Sequence, residues 1–483
     1  MQLSERFGIG HLSRRTAWVG ASKTLAFSSV IISSIYLART LSISEFGRYR
    51  QGWLLIRTFI PILLLGIPQA INYFLPRAQK DRKGSYLSAF FFLLLSTGIV
   101  AFATSLLAPG LLAGLVGNPR LTGLIPLLGV YLLVILPSYI LEPVLILRNK
   151  VSELFRWNLL FFLLFLGVAF YGGLKQNLHL LFGGFILLGI LKSGVTFGRT
   201  GKLFKTRRDF GSVLKTSFLR YLSVLGAISI VDIFTAHIDK YIVSHYSGES
   251  SFALYEIGAM EIPIMALVLS AVTAVVMPEI SKLIPRNDQD SIIRLLHRSM
   301  EKLALIIFPL FFYSLLTAGF FIPFLFGDQY AFSVIIFLIY LFLLPIRALN
   351  LHPYLISAGL QRYALYARII DIVINLILGI ILIRWIGLAG PAISTLIASY
   401  IHKGYQSIIV ARHMDIPFKR LYPLLSLLKT GIRAGISGLL LMGMLAITGR
   451  NLPAVAVGSL LFGLIYLILT PGVLFSGKKF GKT

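Results

Sequence analysis

Long apolar stretches constrain the fold of this chain more than any other feature of its sequence. One of them, SAFFFLLLSTGIVAFATSLLAPGLLAGLVG, runs from Ser88 to Gly117 without a charged residue. A helix needs about 20 mostly apolar residues to cross the hydrocarbon core of a bilayer, whereas transmembrane β-strands alternate polar and apolar residues. Because 57% of the residues are hydrophobic and only 13% are charged, we predict an all-α polytopic membrane protein.

The apolar stretches also define the predicted transmembrane helices. About fourteen stretches are long enough to span a bilayer. They lie near residues 17–40, 51–76, 86–108, 121–147, 156–173, 178–198, 216–240, 252–281, 303–326, 330–359, 363–384, 388–411, 427–448 and 453–476. The loops between them are short, so we expect no inserted soluble domain.

The distribution of basic residues predicts the orientation of these helices. The formal net charge is +27, and alternate loops counted from the N-terminus carry most of the 45 Lys and Arg residues. Cytoplasmic loops of membrane proteins are enriched in Lys and Arg, so we predict that both termini are cytoplasmic. We therefore attribute the positive charge to membrane topology and to contact with anionic lipid headgroups, and we expect no nucleic-acid partner.

A short motif occurs once in each half of the chain. Phe46-Gly47-Arg48-Tyr49 and Phe252-Ala253-Leu254-Tyr255 each open an even-numbered predicted helix, and each of those helices ends in a Pro-x-x-x-Lys sequence. We interpret the pair as an internal repeat of six helices. In this interpretation Gly47 allows a tight turn, and Phe46 and Tyr49 belong to the aromatic belt at the membrane interface.

The repeat predicts the organisation of the chain. We expect an N-terminal six-helix bundle at 1–198, a basic cytoplasmic linker at 199–215, a C-terminal six-helix bundle at 216–411, and two further helices with a tail at 412–483. Six is an even number, so both bundles have the same orientation. A pseudo-two-fold axis along the membrane normal then relates them, as in transporters built from parallel repeats.

Several stretches resemble one family of transporters. YLARTLSISEFGRYRQGWLL, HIDKYIVSHYSGESSFALYEIGAMEIPIMALVLSAVTAVVMPEISKL and NLHPYLISAGLQRYALYARIIDIVINLILGIILIRWIGLAGPAISTLIASYI are similar to the oligosaccharide-lipid flippases, the polysaccharide transporters of the multidrug/oligosaccharidyl-lipid/polysaccharide exporter superfamily. The resemblance extends over essentially the whole chain.

The resemblance implies a function as well as a fold. It implies two six-helix bundles around a cavity that opens alternately to the two sides of the plasma (inner) membrane. The implied cargo is an oligosaccharide linked to a polyprenyl (pyro)phosphate, which moves from the cytoplasmic to the outer leaflet for cell-surface polysaccharide biosynthesis. The implied protein is not an enzyme and needs no cofactor, and other polysaccharide assembly proteins are candidate partners.

Arg347 is the leading candidate for binding the cargo. It lies near the middle of the tenth predicted helix, between Pro345 and Pro353. A guanidinium group binds phosphate through two parallel hydrogen bonds. Burying a charge at this depth costs about 2.5–3.5 kcal/mol on insertion scales, so such residues face a partner or a water-filled cavity. The alternative to a cargo ligand is a structural ion pair, for example with Asp371.

Three further basic residues are candidate cargo ligands. Lys23, Arg57 and Arg220 lie within the first, second and seventh predicted helices. Their long side chains could instead extend to the membrane interface and keep the charged group in water.

Three acidic residues are candidates for coupling transport to a proton or sodium ion. Asp232, Glu261 and Asp371 fall within predicted helices. Burial can raise the pKa of a carboxyl group until it exchanges protons near neutral pH. The alternative for each is a salt bridge to a neighbouring helix. The chain has no cysteine and its histidines are not clustered, so we predict no metal site.

Two other classes of function remain alternatives. A cation-coupled multidrug extruder of the same superfamily would use acidic sites for cations, whereas basic residues outnumber acidic ones in the predicted helices. A polysaccharide polymerase or ligase would need a large outer loop for its acceptor, and the predicted outer loops are short.

The predicted topology can be tested with reporter fusions. A reporter that is active only in the cytoplasm should give signal when it is fused after Lys83, Arg208, Arg298 or the C-terminus. It should be silent after Gly117, Ser247 or Gly449. Reversed signals at any two of these sites would contradict the topology.

Overall fold

The computed structural model describes residues 9–79, 82–201, 213, 216–260, 262–449 and 451–470. Every regular element within these ranges is an α-helix or a short 3₁₀ helix. Twelve helical segments of this part of the chain are long and apolar enough to cross a membrane. The predicted all-α membrane fold is therefore confirmed.

The chain forms two compact units that divide between Leu254 and Tyr255. The helices of unit 1 up to the predicted linker are α1 (Ile9–Thr40), α2 (Ile43–Leu63), α3 (Ile67–Arg77), α4 (Lys83–Leu107), α5 (Pro109–Leu115), α6 (Ile125–Ile135), α7 (Leu141–Leu147), α8 (Val151–Leu174) and α9 (Leu178–Thr200). A 3₁₀ segment, Leu136–Ile140, joins α6 to α7.

A long tenth helix, α10 (Thr216–Gly258), carries the chain across the boundary between the units. It is broken at Gly248, whose φ of 76° and ψ of 179° suit only glycine. The predicted loop between helices seven and eight is thus helical up to this break. Most of α10 belongs to unit 1, and the predicted grouping of residues 216–411 as one bundle stays a prediction.

Unit 2 contains nine further helices in the described residues. They are α11 (Pro263–Leu283), α12 (Gln289–Phe326), α13 (Ser333–Leu341), α14 (Leu343–Ala348), α15 (His352–Ser357), α16 (Gln361–Ile386), α17 (Ala389–His413), α18 (Leu424–Thr448) and α19 (Leu452–Leu469).

The predicted tenth span is interrupted twice and becomes α13, α14 and α15. A proline ring clashes with the carbonyl group four residues earlier and lacks an N–H to donate. Pro345 accordingly lies four residues after Leu341, where α13 ends, and Pro353 lies four residues after Leu349, the residue that follows the end of α14 at Ala348. The two predicted spans outside the twelve apolar segments are this interrupted one and α17.

The motif around Gly47 is not a turn at the membrane interface. The Ser42 hydroxyl accepts a hydrogen bond from the Glu45 N–H at 3.2 Å and caps α2, so Gly47 lies in the first turns of a helix. Phe46 and Tyr49 are buried, and the Tyr49 ring lies 6.0 Å from that of Phe182. The predicted tight turn and aromatic belt are therefore wrong, because these side chains pack inside unit 1.

Polar contacts join the start of α2, the segment before α6 and the break in α10. The Asn118 amide donates to both Gln51 and Glu249 at 2.7 Å, and Glu249 also lies 3.1 Å from Arg120. The Ser44 hydroxyl donates to the same carboxylate. Glu249 is thus held by several hydrogen bonds, which fix the broken end of α10 against α2.

Gly47 is required because the backbone at Glu249 passes directly over it. A Cβ atom on residue 47 would lie 1.9 Å from the Glu249 carbonyl oxygen. We expect Gly47→Ala to destabilise unit 1 by about 1–3 kcal/mol, the usual range for overpacking. The apparent Tm of the purified protein in detergent should fall.

Gly183→Ala is the matched control for this prediction. Gly183 also lies in a helix, α9, but a Cβ there meets no atom within 4 Å. Alanine is the better helix former by about 1 kcal/mol, so the Tm should stay level or rise. Equal Tm values for the two variants would show that the α2–α10 contact adapts freely.

Candidate functional site

A polar cavity of about 460 Å³ lies in unit 2 around Arg347. Helices α11 and α17 form its walls together with the interrupted helix α14–α15. The polar or charged residues of its lining are Ser270, Thr273, Arg347, Asn350, His352 and Lys403. The cavity thus opens where two prolines interrupt a membrane helix, the kind of place where a transporter can expose polar groups at membrane depth.

Asn350 fixes the non-helical segment between α14 and α15. Its side-chain amide donates to the Thr273 hydroxyl on α11 at 3.1 Å. Its carbonyl oxygen accepts the His352 N–H at 3.2 Å and so holds the start of α15. Arg347, in the last turn of α14, is carried by the same segment. These contacts place the half-buried Arg347 at the cavity wall.

Lys403 adds a second positive charge to this cavity. It lies on α17, is half-buried, and its ammonium group donates to the Gln406 side chain at 3.4 Å. None of the described residues that line the cavity is acidic. Lys403 is not among the residues predicted from the sequence to bind cargo. Like Arg347, however, it is a charged residue within a predicted span, and the same signal could have identified it.

The charge of this cavity determines what it can bind. Arg347 on α14 and Lys403 on α17 carry hydrogen-bond donors only, and the Asn350 amide and Thr273 hydroxyl lie beside them in the same lining. Charge-assisted hydrogen bonds to phosphate are about twice as strong as neutral ones. The arrangement therefore suits an anionic group such as phosphate and repels an organic cation.

The other predicted cargo ligands lie in unit 1. The side chains of Lys23 and Arg220 are exposed on α1 and α10. Arg57 is half-buried on α2, where its Nε donates to the Trp53 carbonyl oxygen at 3.3 Å. The three residues lie on different helices, and their role as cargo ligands stays a prediction.

The predicted coupling residues have different surroundings. Asp371 is buried on α16, and one of its oxygens lies 3.5 Å from Nδ1 of His402 on α17. Asp232 is exposed on α10, and Glu261 lies outside the described residues. No group of three or more metal-ligating side chains occurs in the part of the chain that the structure describes. Ion coupling by these acids stays a prediction.

Comparisons with known proteins agree with the family resemblance. The family model described as "Polysaccharide biosynthesis protein" matches residues 36–335. A probable low-salt glycan biosynthesis flippase of Haloferax volcanii, Agl15, is 26% identical over 204 residues. That alignment covers 40% of this chain and 43% of Agl15, so the chain matches less than half the length of this relative.

Two solved structures share the fold. The lipid II flippase MurJ, in an inward closed conformation, superposes with a TM-score of 0.71 over 94% of this chain and 98% of its own, at 16% identity. An inward-facing multidrug resistance transporter of the MATE family gives a TM-score of 0.62 over 80% of this chain and 94% of its own, at 12% identity. Together with the apolar helices, these matches make the chain a multi-pass membrane protein with a transporter fold.

Proposed function

The chain belongs to the family of polysaccharide biosynthesis proteins, and from that premise we propose that it is a flippase for a lipid-linked oligosaccharide. The proposed cargo is an oligosaccharide on a polyprenyl (pyro)phosphate, and it moves from the cytoplasmic to the outer leaflet by alternating access. The relatives named above are flippases and transporters rather than enzymes. We assign the chain to the plasma membrane with both termini in the cytoplasm.

The cationic cavity of unit 2 is the observation that carries this proposal. Arg347 and Lys403 line one cavity of about 460 Å³ with no acidic residue among its described lining. Two positively charged side chains around one cavity attract an anionic ligand, and this attraction is strongest where water is scarce. The (pyro)phosphate is the anionic and invariant part of such a cargo, and a planar guanidinium matches its oxygens.

A cation-coupled multidrug extruder is the alternative. The MATE transporter shares the fold, but at 12% identity the likeness extends to the fold alone. A cationic drug in this cavity would be repelled by the positive charges of Arg347 and Lys403. The charge of the cavity therefore favours an anionic cargo. Coupling to a proton or sodium ion through Asp232, Glu261 or Asp371 would be compatible with either function.

Replacing Arg347 tests the proposal. Arg347→Ala should reduce surface polysaccharide in a complemented flippase-deficient strain to the level of the uncomplemented strain, while the protein still accumulates in the membrane. Arg347→Lys should restore only part of the activity, because an ammonium group keeps the charge but loses the bidentate geometry. Lys403→Ala should also lower it strongly, and Lys23→Ala and Arg57→Ala should give smaller losses.

Arg433→Ala is the matched control. Arg433 is a half-buried arginine on α18 of unit 2 and is not among the residues that line the cavity. It should leave surface polysaccharide unchanged at equal membrane abundance. Normal polysaccharide with Arg347→Ala would show that Arg347 is not a cargo ligand. Loss of the Arg347→Ala protein from the membrane would favour the structural ion pair instead.

A further inference from the structure

A second polar cavity, of about 200 Å³, lies within unit 1. It is enclosed by α3, the 3₁₀ segment Leu136–Ile140, α7, α8 and α9. The side chains that bear on its chemistry are Asn72, Tyr139, Glu142, Asn158 and Lys192. None of these residues is among the candidates named from the sequence, although Glu142 and Lys192 are charged residues within predicted spans.

The polar groups of this cavity are available to a ligand. The side chains of Asn72, Glu142 and Asn158 make no hydrogen bond to any other described residue. Each asparagine can donate two hydrogen bonds and accept others, and a carboxylate accepts several. The cavity therefore presents donors and acceptors side by side.

The charges of this cavity cancel. Glu142 and Lys192, one acidic and one basic residue, line the same cavity. The Lys192 ammonium group also lies 5.9 Å from the centre of the Tyr139 ring and 5.7 Å from that of Phe161. A site with one positive and one negative group, two amides and an aromatic face does not select an anion. Such a site suits a neutral ligand that has several hydroxyl groups on a ring with apolar C–H groups.

The position of the cavity along the helices places it near one end of unit 1. Asn72, Glu142, Asn158 and Lys192 lie five to eight residues from Arg77, Leu147, Val151 and Thr200, the helix ends on one side of unit 1, which is about 8–12 Å along a helix axis. The salt bridge of 3.1 Å between Glu153 and Arg199 joins the start of α8 to the end of α9 at that side. The predicted topology makes this the cytoplasmic side.

We infer that the unit 1 cavity, lined by Asn72, Tyr139, Glu142, Asn158 and Lys192, binds a sugar unit of the cargo. Hydroxyl groups of a sugar ring both donate and accept hydrogen bonds, so they match the two amides, the Glu142 carboxylate and the Lys192 ammonium group. The apolar C–H face of the sugar ring can pack against the aromatic ring of Tyr139. The inference rests on the proposed function, because it assigns the glycan of the same lipid-linked cargo to this site and the phosphate to the cavity of unit 2.

The experiment measures binding of two lipids to the full-length protein in nanodiscs. One probe is the lipid-linked oligosaccharide that accumulates in cells deleted for this gene, and the other is polyprenyl pyrophosphate without sugar. The double variant Asn72→Leu/Asn158→Leu should bind the oligosaccharide lipid about tenfold more weakly, as expected for the loss of two hydrogen bonds. Its affinity for polyprenyl pyrophosphate should be unchanged, and this also shows that the variant is folded.

Two control variants separate the sites. Thr104→Val changes a side chain that lines the apolar cavity of unit 1 and should leave both affinities unchanged. Arg347→Ala should weaken binding of both lipids, because both carry the phosphate. If the double variant does not fold, the single variants Asn72→Ser and Asn158→Ser replace it, each with a smaller expected loss.

The outcomes distinguish the two proposals. Equal affinity of the wild-type protein and the double variant for the oligosaccharide lipid would overturn the sugar site and leave the flippase function standing. If the wild-type protein binds neither lipid, or if no lipid-linked oligosaccharide accumulates in the deleted cells, the flippase function fails, and the sugar site fails with it.

Discussion

The hydrocarbon core of a membrane supplies no hydrogen-bonding partner, so a spanning chain must satisfy its polar groups internally. The breaks in this chain follow that constraint. Between α14 and α15 the non-helical backbone lines the unit 2 cavity, and Asn350 bonds both to Thr273 and to the start of α15. The irregular backbone that carries Arg347 is therefore stabilised by the same side chain that helps to form the cavity.

Sequence reasoning predicts the depth of a residue in the membrane better than it predicts which way the residue faces. The apolar stretches locate the spans, and Pro345 and Pro353 mark the breaks that the structure shows. The hydrophobic helices have little amphipathic pattern, so a charged residue at mid-span gives no indication of its face. Arg347 and Lys403 share one cavity only because α14 and α17 bring them together.

The motif around Gly47 also shows that the sequence does not reveal which neighbours a residue packs against. Phe46, Gly47 and Tyr49 have the composition of a turn at the membrane interface, but they form the start of a helix that packs inside unit 1. What requires glycine at position 47 is the backbone of Glu249, about two hundred residues away in the chain, and one sequence cannot reveal such a contact.

The contrast between the two cavities bears on how a flippase can accept its cargo. A lipid-linked oligosaccharide combines a strongly charged (pyro)phosphate with a larger glycan that is rich in hydroxyl groups. The Arg347 and Lys403 side chains stabilise the former but offer a sugar hydroxyl no hydrogen-bond acceptor. A cavity with balanced charge supplies those acceptors and gives an anion no net attraction. In the proposed flippase, Arg347 and Lys403 would bind the phosphate, and Asn72, Glu142 and Lys192 would bind the glycan, so neither cavity would have to serve both chemistries.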